Sequence, residues 1–369
     1  MNDSKTYNYS DYIRMLYSIQ EEKIPHSFVR EITFQITDDC PMACTYCYQI
    51  NKSHNKMSLD TSKKIIDLIF DMYYKDEGDF INKQTKAVIL DFIGGEPFMA
   101  IDIIEETCDY FVNKCLEFNH PWLETWRIAI TSNGALYFEP KVQNFIQKFK
   151  DFLSLSITID GPKEVHDACR IYHDGRGNFE DAHAAQKHYC EYYNKEINTK
   201  VTIAPENLKD LSKIFTFFVN EGFDFIPANT IHEVEWTYEQ GTLFYNELKK
   251  IADILLECGD KVKTTLFEET FFEPMDPEKE NGNWCGGTGD MLAFDPQGNA
   301  YPCLRYMPSS LGDVSPIIVG NIQEGIFTKK EWKKTKEFLD SITRRSQSSD
   351  ECFNCPIGRG CAWCSAWNY

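Results

Sequence analysis

From residue 29 onward, strand-like and helix-like segments alternate, and this alternation is the tightest constraint on the fold. Apolar runs at 29–37, 87–93, 127–131, 153–159, 199–204 and 223–226 read as strands. Longer stretches with helical spacing follow at 58–74, 101–118, 140–149, 179–193, 208–220 and 238–258. Strand–helix units in series build a parallel sheet, because each helix carries the chain back to start the next strand alongside. Six such units predict an α/β fold with a partial (β/α)6, TIM-like barrel, short of eight closed units. Working residues in such a sheet gather at the C-terminal ends of the strands.

The loop at the end of the first strand carries three cysteines, Cys40, Cys44 and Cys47, at CxxxCxxC spacing. Such a loop can turn three thiolates toward one point. A structural zinc or a fully protein-ligated iron–sulfur cluster wants four ligands, so three would leave one iron open to a small molecule. A zinc knuckle borrowing a distant ligand and a redox CxxC pair are the alternatives on spacing alone.

Three further motifs fall at strand ends. Gly94-Gly95-Glu96-Pro97 follows the second strand; its glycines allow close approach, and Glu96 offers an acceptor for an ammonium group. Thr131-Ser132-Asn133-Gly134 follows the third, with small polar groups suited to a ribose or carboxylate, or equally to a turn. Thr158-Ile159-Asp160-Gly161-Pro162 ends the fourth, with His166, Asp167 and Arg170 just beyond and Arg176 close behind.

The C-terminal part changes character. Residues 259–284 are acidic and phenylalanine-rich and read as a bridge. A hairpin is expected to turn at Asp295-Pro296-Gln297-Gly298. Around and beyond it stand Cys285, Cys303, Cys352, Cys355, Cys361 and Cys364, a density that core packing does not explain. Paired CxxC motifs of this kind also occur in zinc ribbons. The remaining cysteines, Cys108, Cys115, Cys169, Cys190 and Cys258, read as buried free thiols.

Fourteen cysteines without a secretory signal point to metal or cluster ligation in a reducing, cytoplasmic setting. A net charge of −19 argues against a nucleic-acid partner. No apolar run is long enough to span a membrane.

Taken together, CxxxCxxC with Tyr46 before its last cysteine, GGEP at 94–97 and the cysteine-rich end resemble the radical S-adenosylmethionine (SAM) enzymes that carry a C-terminal SPASM iron–sulfur domain. The resemblance covers residues 29–369. It implies a SAM-binding 4Fe–4S cluster on Cys40, Cys44 and Cys47, and a 5′-deoxyadenosyl radical that abstracts hydrogen from a substrate. It assigns Glu96, with Gly94, Gly95 and Pro97, to the SAM amino group, and Thr158 and Arg170 to its carboxylate. Tyr46, Ser132 and Asn133 complete the implied SAM site, while the catalytic acid or base stays unassigned. The implied organisation is an N-terminal segment 1–28, a barrel 29–258, a bridge 259–284 and a SPASM domain 285–369.

The spacing Cys285, twelve residues, Gly298, four residues, Cys303 matches the SPASM pattern, as does Cys352-x2-Cys355-x5-Cys361. One or two auxiliary clusters follow from the resemblance. Six cysteines cannot fill the eight positions of two clusters, so either one iron is open to a substrate thiol or the chain is a C-terminally shortened form.

Within the family, the ending at 360–369 especially resembles peptide maturases whose targets carry Cys-x-x-x repeats. The implied function is modification of a ribosomally made, cysteine-containing precursor peptide, with a thioether formed after hydrogen abstraction. An external donor of flavodoxin or ferredoxin type is implied. Residues 1–28 are too few for a leader-binding domain, which implies a separate leader-binding protein or direct leader contact. The nearest alternative is an anaerobic sulfatase-maturing enzyme that makes formylglycine. From another class, a non-enzymatic zinc or electron-transfer protein is the alternative.

Overall fold

The computed structural model describes residues 24, 26–76, 80–194, 197, 199–267, 276, 281, 287, 291–356, 358 and 364–366. The first 23 residues of the N-terminal segment, most of the bridge, Cys285 and Cys361 lie outside the described residues.

β1 (Val29–Thr37) shows how the sheet is layered. Ile32, Phe34 and Ile36 are fully buried on one face, toward the helices, while Thr33 and Gln35 take the other. The chain continues through α1 (Leu59–Lys75), β2 (Ala87–Gly94), α2 (Ile101–Glu117), β3 (Trp126–Ser132), α3 (Pro140–Phe149) and β4 (Leu153–Ile157). β1 to β4 lie side by side and parallel. Ser58 starts α1 by accepting from Thr61 N at 3.0 Å, and Asp76 ends it in the left-handed conformation. Polar ties between α1 and α2, such as Thr107 Oγ1 to Ser62 Oγ at 2.8 Å, hold the helical layer over the sheet.

The chain next forms α4 (Lys163–Cys169), α5 (Phe179–Tyr193), β5 (Val201–Ile203), α6 (Leu211–Asn220), β6 (Phe225–Ile226), β7 (Ala228–Thr230), α7 (Tyr238–Cys258) and β8 (Lys263–Thr264). The sixth expected strand, 223–226, is shortened to β6, and beyond Pro227, which cannot donate to a ladder, an unexpected further strand, β7, follows. β5 pairs with β7 and β6 with β8, both parallel. Among the described residues no ladder joins β4 to β5, so the barrel is not closed.

The C-terminal part contributes β9 (Met291–Phe294), β10 (Asn299–Tyr301), β11 (Gly320–Asn321), β12 (Gly325–Ile326) and α8 (Lys330–Ser341). The expected hairpin turn is present. Asp295 organises it by accepting from Gln297 N and Asn299 N, each at 2.9 Å, and from Tyr301 Oη at 2.8 Å. β9 lies parallel against β1, with Glu31 opposite Met291 and Phe34 opposite Phe294. One eight-stranded sheet therefore runs β12-β11-β10-β9-β1-β2-β3-β4. No described helix is long and apolar enough to cross a membrane.

Candidate functional site

The cysteine loop leaves β1 and is held from two sides. On one side, Gly95 N donates to Thr37 O and Glu96 N to Asp39 O, each at 2.8 Å. A Cβ on Gly95 would lie 2.2 Å from Asp39 O, and one on Gly94 would lie 2.1 Å from Thr37 O. The glycines are thus required for the β2 end to reach the backbone of the cysteine loop. On the other side, Ala43 N donates to Ile171 O at 2.8 Å and Thr45 N to Cys169 O at 3.0 Å. The segment after α4 clamps the loop there.

Glu96 is buried and already engaged. Its Oε1 accepts from Ser132 Oγ at 2.8 Å and Phe98 N at 3.2 Å, and its Oε2 from Asn133 N at 2.8 Å. Burial raises its pKa, and these three donors oppose the rise. Ser132 and Asn133 therefore set the carboxylate of Glu96 in place. Pro97 opens the short helical turn Pro97–Ala100 behind it.

Beyond β4, Asp160 is fully buried and ties the far wall together. One oxygen accepts from Thr202 N at 3.1 Å. The other takes the Tyr46 hydroxyl and lies 3.3 Å from Arg170 Nε. Asp160 N donates to His166 Nδ1 at 3.2 Å, His166 Nε2 meets Asn178 Oδ1 at 2.8 Å, and Asn178 Nδ2 donates to Asn133 O at 2.8 Å. This chain of bonds spans the ends of β3 and β4. Thr158 N donates to Ser132 O at 3.0 Å within the same wall. Asp160, His166 and Asn178 had no role in the sequence reading; the first two lay inside a motif whose burial no spacing reveals.

Arg170 and Arg176, six residues apart in the chain, have different surroundings. Arg176 is exposed and paired with Asp174 at 2.8 Å. Arg170 is buried, with Nη1 3.9 Å from Cys44 Sγ and its guanidinium carbon 5.9 Å from the Tyr46 ring centroid. Burial opposes its charge, yet Tyr46, Asp160, Cys44 and Cys40 outweigh that and raise its pKa.

Two nitrogen donors therefore aim at cysteine sulfurs: Arg170 at Cys44, and Asn133 Nδ2 at Cys40 Sγ, 3.6 Å away. Burial pushes the Cys40 thiol up to about 11 and also raises Cys44, partly offset by Arg170. Thiols in this setting become thiolates when a cationic group binds them. Among the described residues no three His, Cys, Asp or Glu side chains converge tightly enough for a single ion. A cluster spreads its ligands over several irons, and N–H donors to its sulfurs orient the ligands and tune the potential. Cys40, Cys44 and Cys47 fit a cluster of that kind.

Of the auxiliary cysteines, Cys303 is buried, Cys352 is exposed, and Cys355 and Cys364 are half-buried. Arg344 holds the Cys352–Cys355 turn, donating from Nη2 to Cys352 O at 2.9 Å and Phe353 O at 2.6 Å. Cys108, Cys115 and Cys169 are buried thiols as expected, whereas Cys190 and Cys258 are half-buried.

Facing the cysteine loop is a polar inner wall. Thr33 Oγ1 donates to Asp91 Oδ2 at 3.1 Å, and burial, with Glu31 adding, raises Asp91 to about 7. Tyr48, next to Cys47, lies under Arg305, whose guanidinium carbon is 4.8 Å from the ring centroid. Arg305, in the turn just after the β9–β10 hairpin, thus lies beside the residue that follows Cys47.

Residues 29–167 match the family model for a 4Fe–4S single cluster domain. The chain is 24% identical over 346 residues to a cysteine-type anaerobic sulfatase-maturating enzyme of Clostridium novyi, covering 88% of this chain and 85% of that one. It is 21% identical over 356 residues to the radical SAM cyclopropyl synthase TigE of Paramaledivibacter caminithermalis, covering 90% and 67%. Its fold matches native anSMEcpe with bound AdoMet and the Kp18Cys peptide at a TM-score of 0.64 and 18% identity, covering 89% and 88%. The chain is thus similar over most of its length to enzymes of the radical SAM type, and its cysteine loop is clamped between GGEP and the segment after β4.

Proposed function

We propose that the chain matures a ribosomally made, cysteine-containing peptide, forming a thioether between a cysteine sulfur and a carbon from which hydrogen has been removed. The observation that carries this reading is the polar group of Asp91, Tyr48 and Arg305 gathered beside Cys47 at the end of the cysteine loop, with the Arg305 guanidinium carbon 4.8 Å from the Tyr48 ring centroid. The similarity to a sulfatase-maturating enzyme and to a fold bound to an 18Cys-type peptide supports a peptide substrate.

When bound, the 4Fe–4S cluster and SAM supply a 5′-deoxyadenosyl radical. The chain's own part is to bind, orient and keep water out. Cys40, Cys44 and Cys47 would hold the cluster, with Asn133 and Arg170 hydrogen-bonded to its sulfurs. Glu96 would take the SAM ammonium on the lone pair left by its three donors, and Arg170 the carboxylate. Asp160 and Tyr46 keep Arg170 in place. Cys303, Cys352, Cys355 and Cys364, with Cys285 and Cys361, would supply one or two auxiliary clusters. In the net reaction the peptide loses two hydrogens: one goes to 5′-deoxyadenosine, and the other leaves as a proton with its electron returned to a flavodoxin- or ferredoxin-type donor.

Formylglycine formation is the second reading, favoured by similarity to a sulfatase-maturating enzyme over most of the chain. Mass spectrometry separates the two. The reconstituted enzyme would be incubated with SAM, reductant and cysteine-repeat or sulfatase-derived peptides. Loss of two hydrogens with sulfur retained supports the thioether; loss of sulfur as an aldehyde forms supports formylglycine. Zinc without iron after anaerobic reconstitution would sink both.

A further inference from the structure

The cysteine loop is flanked by two residues that reach into the C-terminal module. Before it, Gln35 stands on the inner face of β1, 3% exposed, and both ends of its side-chain amide are used. Its Oε1 accepts from Ser309 Oγ at 3.0 Å, and its Nε2 donates to Asp38 Oδ1, two residues ahead of Cys40. Asp38 is buried as well, and its other oxygen accepts from Ser53 Oγ. After the loop, Asn51 N donates to Ser309 O at 3.3 Å and Asn51 Nδ2 to Leu311 O at 2.8 Å. Ser309 thus holds both flanks at once, one by its hydroxyl and the other by its carbonyl.

Ser309 belongs to a run that begins at Cys303. Tyr306 N donates to Cys303 O at 3.1 Å, Met307 N to Leu304 O at 3.3 Å, and Ser310 N and Leu311 N to Met307 O at 3.0 and 3.2 Å. Ser310 Oγ adds a bond to Leu304 O at 3.1 Å. Tyr306 and Met307 are fully buried and anchor the run from within. Residues 303–311 therefore form one hydrogen-bonded piece, with a cysteine at one end and the grip on the loop at the other. Buried polar groups in such a network have few arrangements, because a member that shifts leaves its partner with neither bond nor water.

We infer that Gln35 is a positioning residue through which the piece 303–311 sets the seat of the cysteine loop, so that ligation at Cys303 is felt at Cys40. This rests on the reading above, in which Cys303 holds an auxiliary cluster and Cys40, Cys44 and Cys47 hold the SAM-binding one. A cluster on Cys303 fixes one end of the piece. Ser309 carries that constraint to Gln35 and Asn51, and Gln35 passes it to Asp38. What changes along this path is how narrowly the loop backbone is held.

The test uses the full chain, reconstituted anaerobically, with Cys303→Ala, Ser309→Ala and Gln35→Met made singly and in pairs. Gln35→Met keeps the volume and removes both bonds. Hydrogen exchange read by mass spectrometry follows residues 36–57, calorimetric titration follows SAM binding, and electron paramagnetic resonance follows the reduced cluster with SAM. Each single variant should speed exchange in that segment and weaken SAM binding about fivefold, with the same displaced resonance signal. The paired variants should match the singles rather than multiply them. Multiplied effects, or native exchange, affinity and signal in Ser309→Ala, overturn the relay. Ser309→Ala removes one hydroxyl and leaves the backbone bond to Asn51, so it decides the matter even where Gln35→Met does not fold. Failure of the auxiliary-cluster reading looks different: Cys303→Ala would lose no iron, while Ser309→Ala and Gln35→Met would still loosen the loop.

Discussion

Asn133 Nδ2 lies 3.6 Å from Cys40 Sγ, and the backbone N–H of the same residue donates to Glu96 Oε2 at 2.8 Å. One residue thus touches both a cysteine proposed to hold the cluster and the carboxylate proposed for the SAM ammonium. An N–H donor to a ligating sulfur favours the reduced, more negative cluster. Asn133→Ala should lower the midpoint potential by roughly 20–60 mV, the one-electron equivalent of a modest hydrogen bond. Redox titration followed by electron paramagnetic resonance reads this directly, and an unchanged potential removes Asn133 from the support of Cys40.

Replacing Cys40, Cys44 and Cys47 together with alanine should abolish 5′-deoxyadenosine formation and remove one cluster's worth of iron. Any auxiliary iron should remain. Reductive SAM cleavage by the triple variant would contradict the assignment.

Glu96 accepts three hydrogen bonds in a buried place, so its substitution has two separable effects. Glu96→Ala orphans Ser132 Oγ and two backbone N–H groups, and should cost roughly 1–3 kcal/mol of stability for each donor left without water. It should also weaken SAM binding by roughly 1.5–3 kcal/mol, the value of a hydrogen bond to a charged group. Calorimetric SAM titration at a temperature where the variant is folded isolates the second effect. Unchanged SAM affinity there would leave Glu96 a purely structural carboxylate.

Gly95→Ala and Gly241→Ala should move in opposite directions. A Cβ at 95 meets backbone 2.2 Å away, so the β2 end must retreat from the cysteine loop and cluster loading should fail. Gly241 lies inside α7 with nothing within 4 Å of an added Cβ, and alanine there should stabilise by about 0.5–1 kcal/mol. Iron content and thermal unfolding of the two variants check both statements.

Stability should also fall in mild acid through His120. Its Nδ1 accepts from Trp122 N at 3.2 Å, so the neutral ring carries its proton on Nε2, which is buried without a hydrogen-bond partner. Burial, with Lys83 adding, lowers its pKa to about 4, against roughly 6.5 in the unfolded chain. Between those values the unfolded state binds more protons, so stability is fully present above the upper value. It declines as pH falls toward the lower, by at most roughly 3 kcal/mol. Denaturant titrations across that range should show the slope, and His120→Asn should flatten it.

The barrel strands were legible because apolar alternation and βα spacing are local. β1 matches its expected bounds, and β2, β3 and β4 differ by at most a residue or two at their ends. The further strand beyond Pro227 and the pairing of β9 with β1 were not legible, since ladder partners depend on distant packing. The cysteine loop and GGEP stood out by spacing, whereas Arg170 came only from the family resemblance, with Arg176 close behind it. Asp160 stood inside a quoted motif, yet its role emerges only when Tyr46, 114 residues away in sequence, meets it.

Met291 to Phe294 pair in register with Glu31 to Phe34, on the strand that feeds Cys40. The C-terminal module therefore lends the barrel its missing neighbour and hides an edge that would otherwise invite another chain. Such a module cannot be exchanged like a bead on a string. A graft from a relative would succeed only if its donated strand kept both direction and register against residues 31–34, because a slip of one residue would turn every side chain of that strand over. Diversification at the C-terminal end is thereby bound to the strand that leads into the cysteine loop.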